Sequence, residues 1–478
     1  MNIFKKLWKR FFAIRGVSWD NNDAPDTSSL YRKVLSIALP ATIEGALLSL
    51  IGSFDQMMVG NWKGGDGEAA LAAVGLTSQP RMILLILAQA LCVGTTALIA
   101  RRKGENDQTG ANRVLSQSMA LITVVGILIS LAGFFLAKPL MLLAGGDQDT
   151  LGLATDYFKI ISCGMIFNCW SLCLCAAMRG IGKTKITLIT NMTANLVNVF
   201  LNYCLIDGHF GFPSLGVRGA ALATAIGTFV SCVLAFWFAT RKNGYLRFRL
   251  RLPEFDRQSL SGLLRVGSSS MLESVCLRVG FFINARMIAD LGKTPLAAYY
   301  VVQQVTMLSF TLGDGVSAAG ATLVGQSLGA GRKDHAVAYV QAVRKISLFA
   351  STLLMIIICF TRNYLADLFT DEAALIAGAS IAFIVVITGI IPQNGRVVYS
   401  GCLRGAGDVS FVAMCALISV TLIRPVLTWI FCYPADRLLP TWQFAFTGPW
   451  IAFVIDAYIR QALLSHRIKQ GKFLTIKL

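Results

Sequence analysis

VLSIALPATIEGALLSLIGSFDQMMVGN, residues 34–61, is long and apolar enough to cross a bilayer, yet it carries two carboxylates, Glu44 and Asp55. An ionised carboxylate in hydrocarbon costs at least about 2.5 kcal/mol, so such residues normally face a bundle interior or an aqueous cavity. The two acids stand eleven positions apart, which places them on one helix face about 16 Å apart along the axis. The stretch therefore predicts a transmembrane helix with one acidic face.

The composition is that of an integral membrane protein. Of 478 residues, 55% are hydrophobic and 14% are charged, and the mean hydropathy is +0.63. The net charge of +18 comes from short basic clusters between apolar segments, which topology explains better than a nucleic-acid partner. The three histidines are scattered and the twelve cysteines lie mostly within apolar segments, so no nucleophile–base pair or metal cluster is visible. We expect neither an enzyme nor a cofactor.

Twelve apolar segments are long enough to span a bilayer. They cover approximately residues 35–60, 69–100, 116–138, 153–177, 185–206, 217–240, 263–289, 295–324, 343–361, 374–401, 409–432 and 443–465. Placing both termini and every second loop on one side collects about thirty Lys and Arg there, against about five on the other side. We therefore expect a multi-pass protein of the plasma membrane, in bacteria the inner membrane, with both termini cytoplasmic.

An internal repeat predicts two six-helix lobes. MRGIGKT at 178–184 recurs as LRGAGDV at 403–409, an offset of 225 residues. Near the start of each half the offset is 229, which pairs Glu44 with Glu273 and Asp55 with Asn284. Because six is even, both halves enter from the same side and are expected to be related by an axis along the membrane normal.

The predicted organisation follows from the spans and the repeat. It comprises a basic amphipathic cytoplasmic segment at 1–34, an N-lobe at 35–240, a cytoplasmic linker at 241–262, a C-lobe at 263–465 and a cytoplasmic tail at 466–478. A disordered basic tail is the alternative for the first segment. GIGKT within the repeat resembles a phosphate-binding loop, but a glycine is missing at Ala177 and no soluble β-strand is predicted before it, so ATP is not expected as the energy source.

The fifth span carries an asparagine stripe on one helix face, formed by Asn191, Asn195, Asn198 and Asn202. Such amides can simply hold helices together. Asn198 and Asn202, however, are expected at the depth of Asp55, and a carboxylate with amide oxygens suits a small cation or a proton. The C-lobe has Ala416, Val420, Ile423 and Leu427 at the equivalent positions. We therefore predict one cation-coupling site, in the N-lobe, with Na⁺ or H⁺ as the coupling ion and no other metal, formed by Asp55, Asn198, Asn202 and Asn195.

Glu44 and Glu273 are predicted nearer to mid-membrane, as acidic residues of a substrate cavity. The alternative is that they form ion pairs that hold helices together, with Arg278, Arg286, Arg396 and Arg424 as the available partners. Asn284, Gln79, Gln304 and Arg396 are further candidates for the cavity lining.

Over residues 35 to 465 the chain resembles the multidrug and toxic compound extrusion (MATE) transporters, and in particular their bacterial drug-pump branch. The resemblance rests on Pro40, Glu44, Asp55 and Val59-Gly60 in the first span, on ALIARRKGEND after the second, on VNVFLNY, and on the paired RGIGKT and RGAGD segments. It implies export of amphipathic, often cationic, compounds by antiport against Na⁺ or H⁺. Asp55, Asn198 and Asn202 would then form the N-lobe cation site, and Glu273 would be the acidic residue of the C-lobe.

One departure from that family leaves alternatives open. The drug-pump branch often has a further aspartate in the tenth span, where this chain has IPQNGRVVYSG with Arg396. A flippase or exporter of a lipid-linked, peptide-like or anionic solute is therefore the alternative function. A channel fits the duplication and the one-sided acidic site less well. The expected partners are small-molecule substrates and the lipid bilayer, without nucleic acid, and we expect a monomer.

Overall fold

The structure, a computed structural model, describes residues 11–14, 17, 26–62, 66–241, 244–247, 256–367, 373–435 and 444–476. Residues 1–10, which carry most of the predicted amphipathic segment, lie outside the described residues. The described part of the chain is almost entirely helical and contains no strand. The predicted all-α membrane fold is confirmed.

The helices follow the predicted spans closely. They are α1 Thr27–Gly60, α2 Gly67–Gly104, α3 Gln108–Phe135, α4 Ala137–Leu143, α5 Gln148–Gly180, α6 Thr184–Ile206, α7 Val217–Thr240, α8 Arg257–Ala289, α9 Lys293–Gly329, α10 Lys333–Asp367, α11 Ala373–Ala406, α12 Val409–Ala416, α13 Arg424–Ile430 and α14 Phe444–Lys469. Within the described residues, ten runs are long and apolar enough to cross a membrane, with Val409–Pro434 counted as one run. The helices α6 and α14 have the length for two more crossings, but polar side chains such as Asn198 and Asp456 lower their hydropathy.

The eleventh crossing differs from its N-lobe counterpart α6. Between α12 and α13 the chain forms a π-helical turn at Leu417–Ile423, and a second one follows at Phe431–Ala435. Wide turns of this kind often occur at functional positions. Here the first one leads directly into Arg424, which is 2% exposed.

The repeated RGxG motif has a structural explanation in both halves. Its first glycine allows close helix packing: a Cβ at Gly180 would lie 2.8 Å from the carbonyl oxygen of Thr96, and one at Gly405 would collide with the backbone of Ala321. Its second glycine follows a helix end with positive φ, +83° at Gly182 and +90° at Gly407. The motif therefore joins two helices in each half.

The chain divides into two compact units, Ile43–Met271 and Met1–Thr42 with Leu272–Leu478. The two boundaries cut α1 and α8 at positions 229 residues apart, the offset that the repeat predicts for this region. The first half of α1 contributes to the core of the second unit through Leu30, Val34, Ile37 and Ala38. These units replace the predicted bounds of the two lobes: the N-lobe is Ile43–Met271, and the C-lobe is the other unit.

The described part of the linker belongs to the N-lobe unit. Leu246 is 1% exposed, and the backbone N–H of Arg247 donates to Asn112 Oδ1 at 2.7 Å. Asp256 precedes α8 and accepts hydrogen bonds from the hydroxyl and backbone N–H of Ser259, which lower the pKa of its carboxyl below the ordinary value. The described part of the linker is thus packed against the lobe that it follows.

Candidate functional site

The N-lobe contains a polar cavity of about 550 Å³. Both acids of α1 line it, together with three asparagines of α6 and two arginines: Glu44, Asp55, Asn191, Asn195, Asn198, Arg81 and Arg179. The charges of these two carboxylates and two guanidinium groups balance, so their sum is zero. The acidic face predicted for α1 therefore lines a cavity of the N-lobe.

Asp55 forms a direct hydrogen bond with the asparagine stripe. Asn202 Nδ2 donates to Asp55 Oδ1 at 2.8 Å, and Asn202 is 1% exposed. The remaining oxygen of that amide, Asn202 Oδ1, is buried without a hydrogen-bond partner. A buried carbonyl oxygen without a donor next to a carboxylate is an arrangement that a small cation would satisfy, because Na⁺ takes oxygen ligands.

The other two asparagines predicted for coupling differ in their surroundings. Asn198 is 5% exposed and donates to Thr224 Oγ1 at a long 3.4 Å, which leaves its amide weakly held. Asn195 donates to the backbone oxygen of Asn191 at 2.7 Å. Asn195 is therefore held by its own helix, whereas Asn198 is freer to take a new partner in the cavity that Asp55 also lines.

Glu44 is held by a network of its own within the same cavity. It accepts hydrogen bonds from Thr187 Oγ1 at 2.7 Å and from Asn191 Nδ2 at 2.6 Å. Arg179 Nη1 lies 3.9 Å from Glu44 Oε1. Asn191 is thereby engaged by Glu44 and not by Asp55, so the asparagine stripe serves two carboxylates at two depths.

The C-lobe repeats the pairing of a glutamate with an arginine but replaces the aspartate. Glu273 is 6% exposed and pairs with Arg404, whose Nη2 lies 2.6 Å from Glu273 Oε1. Asn284 stands in the place of Asp55 and accepts a hydrogen bond from Thr428 Oγ1 at 2.9 Å. The contact between the two helices thus persists in the C-lobe without the charge.

The remaining cavity candidates lie apart from these contacts. Arg396 is 8% exposed, donates to Gln393 Oε1 at 2.6 Å and lies over the ring of Phe310. Gln79 and Gln304 are exposed. Neither glutamine lines the N-lobe cavity, and their role stays a prediction.

Several charged residues form contacts that were not predicted from the sequence. Arg179 and Arg404, the partners of the two glutamates, occupy the same position of the repeated RGxG motif, and that coincidence was the available signal. A buried cluster joins Asp456 to Ser419, Arg424 and Arg460. Its signal was the Asp456/Arg460 spacing of four in an apolar helix.

A third intramembrane acid of the C-lobe was also missed. Asp314 is exposed on α9 and interacts electrostatically with Arg404 and Arg396. A single aspartate in the glycine-rich TLGDG run gave no periodic pattern that could have drawn attention to it. Even with Asp314 included, the predicted spans of the C-lobe carry more arginines than carboxylates.

Comparisons with known proteins agree on one family. A family model described as MatE matches residues 40–204 and 269–430, more than half of the chain. The "Probable multidrug resistance protein NorM" of Thermotoga maritima is 26% identical over 453 residues, which cover 94% of this chain and 94% of that protein. The "Uncharacterized transporter YisQ" of Bacillus subtilis is 26% identical over 452 residues, which cover 93% of this chain and 94% of that protein.

Solved structures show the same fold. One described as the "Outward-facing conformation of a multidrug resistance MATE family transporter of the MOP superfamily" matches with a TM-score of 0.83 at 21% identity, covering 94% of this chain and 97% of that one. A MOP superfamily transporter from Pyrococcus furiosus matches with a TM-score of 0.83 at 21% identity, covering 94% and 97%. These structures have the twelve-helix arrangement predicted from the sequence.

Proposed function

Because the chain belongs to the MatE family of membrane transporters, we propose that it is a secondary active multidrug exporter. It moves amphipathic, often cationic, compounds out of the cell by antiport against Na⁺ or H⁺, through alternating access. The family assignment and the names of relatives such as the probable multidrug resistance protein of Thermotoga maritima support export of this substrate class. The membrane is the plasma membrane, and both termini are cytoplasmic, as the loop charges favour.

The observation that carries the coupling proposal is the contact of Asp55 with Asn202. Asp55 lines an open cavity, so a cation can reach it, and Asn202 Nδ2 donates to its carboxylate at 2.8 Å. The oxygen of the same amide, Asn202 Oδ1, is unpartnered, and Asn198 lines the cavity. A Na⁺ ion would take ligands from these three side chains. A proton would instead neutralise Asp55 and free the Asn202 amide from its charged acceptor.

Neutralisation of Asp55 supplies the physical link to transport. A charged carboxylate in a bilayer resists closing of the cavity around it, because closure removes water from the charge. Binding of one cation removes that cost. The ion-bound and ion-free states of the N-lobe therefore differ in their preference for closure, which is what an ion gradient needs in order to drive a conformational cycle.

The experiment is transport by the purified full chain in vesicles. Three sets of vesicles carry an imposed Na⁺ gradient, an imposed H⁺ gradient or no gradient, each with a fluorescent hydrophobic cation as substrate. Accumulation under one ion gradient and not under the other identifies the coupling ion. Equal dye movement in all three sets would refute antiport.

A second candidate function is export or flipping of an anionic or lipid-linked solute. The observation that favours it is the arginine excess of the C-lobe, where Arg396 has no carboxylate within 4.0 Å among the described residues. The same vesicles distinguish the two candidates. Gradient-driven movement of an anionic dye or of a fluorescent anionic lipid, with no movement of the cation, would replace the first proposal by the second.

A further inference from the structure

The C-lobe has a second large cavity, of about 610 Å³, that the transport proposal does not use. Three cationic side chains line it, Arg344, Lys345 and Lys469. Most of the other lining residues are apolar, including Val340, Leu348, Phe473 and Leu474. None of the described residues that line this basic cavity is acidic, so the described part of its wall carries a net positive charge.

The basic cavity lies at the end of the C-lobe that the loop charges assign to the cytoplasm. Arg344 and Lys345 stand at the start of the predicted ninth span, and Lys469 is the last residue of α14. Beyond the cavity, α10 presents an exposed apolar stripe toward the membrane interior, formed by Phe349, Leu353, Ile356, Ile357 and Phe360. Basic groups at the membrane surface are thus continuous with an apolar path into the bilayer.

The N-lobe has uncharged residues where the C-lobe has Arg344 and Lys345. The offset of 225 places Met119 and Ala120 of α3 opposite Arg344 and Lys345. Both lobes follow their last helix with a glycine and, two residues later, a buried apolar side chain, Leu246 in the N-lobe and Phe473 in the C-lobe, each 1% exposed. The same local packing therefore forms in the N-lobe without the two cations.

Lys345 also ties down the start of the described chain. Its Nζ donates to the backbone oxygen of Ala13 at 2.5 Å, and Phe11 forms part of the cavity wall. An ammonium group has three N–H donors and can bind more than one acceptor at the same time. Arg344 lies over the ring of Tyr399, with its guanidinium 5.9 Å from the ring centre.

We propose that the basic cavity binds an anionic phospholipid of the cytoplasmic leaflet. The phosphate of the headgroup accepts charge-assisted hydrogen bonds from Arg344, Lys345 and Lys469, and an acyl chain follows the apolar stripe of α10. Basic pockets between transmembrane helices on the cytoplasmic side have the chemistry that recognises such headgroups. The bound lipid would join α10, α14 and the segment at Phe11 to Ile14.

The test measures lipid binding to the purified full chain by native mass spectrometry, with phosphatidylglycerol and phosphatidylcholine compared at equal concentrations. The test variant is Arg344→Gln with Lys345→Gln. A matched control, Lys183→Gln with Lys185→Gln, removes two exposed cations from the same membrane side of the N-lobe. Because each cation near a headgroup strengthens binding about fivefold, the test variant should bind phosphatidylglycerol about thirtyfold more weakly, with the control unchanged.

Three outcomes would overturn the proposal. Equal binding of phosphatidylcholine would mean that the cavity selects no charge. Equal losses in the test and control variants would mean that general surface charge attracts the lipid. Competition by free glycerol phosphate at concentrations similar to those of the lipid would identify a soluble anion as the ligand. Thermal unfolding without added lipid checks that the test variant is folded, since both substituted side chains are at least partly exposed.

Discussion

Replacing Asp55 by asparagine should abolish gradient-driven transport while leaving the protein folded. The substitution removes the titratable charge and barely changes the volume of the side chain. It also keeps an acceptor for Asn202, because the amide oxygen at position 55 can take the place of Asp55 Oδ1. The charge-assisted bond from Asn202 Nδ2 becomes a neutral one in exchange.

The two consequences differ widely in size. Weakening one charge-assisted hydrogen bond costs about 1 kcal/mol, and relief of a partly buried charge offsets it, so the free energy of unfolding should change by at most about 1 kcal/mol. A sodium ion about 4 Å from a carboxylate gains about 4 kcal/mol at an effective dielectric constant near 20, so its affinity should fall about a thousandfold. For a proton the loss is complete, because an amide does not titrate.

The assay compares equal amounts of native and variant protein in vesicles under imposed Na⁺ and H⁺ gradients. Asp149→Asn is the matched control, since it makes the same chemical change at an exposed residue near the start of α5. Binding of the substrate dye without a gradient should persist in both variants, which separates loss of coupling from loss of substrate binding. If Asp55→Asn accumulates substrate at the native rate under either gradient, Asp55 is a structural acid and coupling must be sought at Glu44 or Glu273.

Three further predictions address the charges and the topology. Glu273→Gln should lower the free energy of unfolding by about 2 kcal/mol, because it leaves a mostly buried Arg404 without its carboxylate, and Arg404→Gln in the same chain should restore part of the loss in a denaturation series. Asp456→Asn should cost more, about 3 to 5 kcal/mol, because two arginines then share one fully buried site without a counter-charge; an unchanged thermal midpoint would contradict this. Single cysteines at Lys185 and Asp149, in a background without native cysteines, should react with an impermeant thiol reagent from the inside and the outside of the cell, respectively, and labelling of both from outside would contradict the twelve-span topology.

The fold was predictable because the signals that set it act over long stretches of sequence. Bilayer thickness requires about twenty apolar residues for a crossing, and the repeat shows the same six-helix pattern twice. Helix ends were less accurate for a physical reason. The predicted fourth and tenth spans stop at residues 177 and 401, whereas α5 continues to Gly180 and α11 to Ala406. Hydropathy falls where charged residues begin, but helical hydrogen bonding continues through them.

That difference explains why the partners of the glutamates were missed. Arg179 and Arg404 stand in the last turns of α5 and α11, beyond the predicted ends, and were assigned to loops. In the structure each is still helical and lies within ion-pair distance of a glutamate of its own lobe. Sequence spacing also cannot choose among several arginines. Arg396 was one of four arginines named as possible partners of Glu273, and the structure gives that place to Arg404.

The two lobes share one charged contact and differ in another. A glutamate paired with an arginine occurs in both, at equivalent positions, so it fits a role that both halves share, such as fixing the end of one helix against another. The aspartate occurs once. Its counterpart Asn284 keeps a hydrogen bond to the neighbouring helix, and therefore the packing function of the position does not require a charge. What the charge adds at Asp55 must then be something other than packing, and attraction of a cation is the property by which a carboxylate differs from an amide of the same shape.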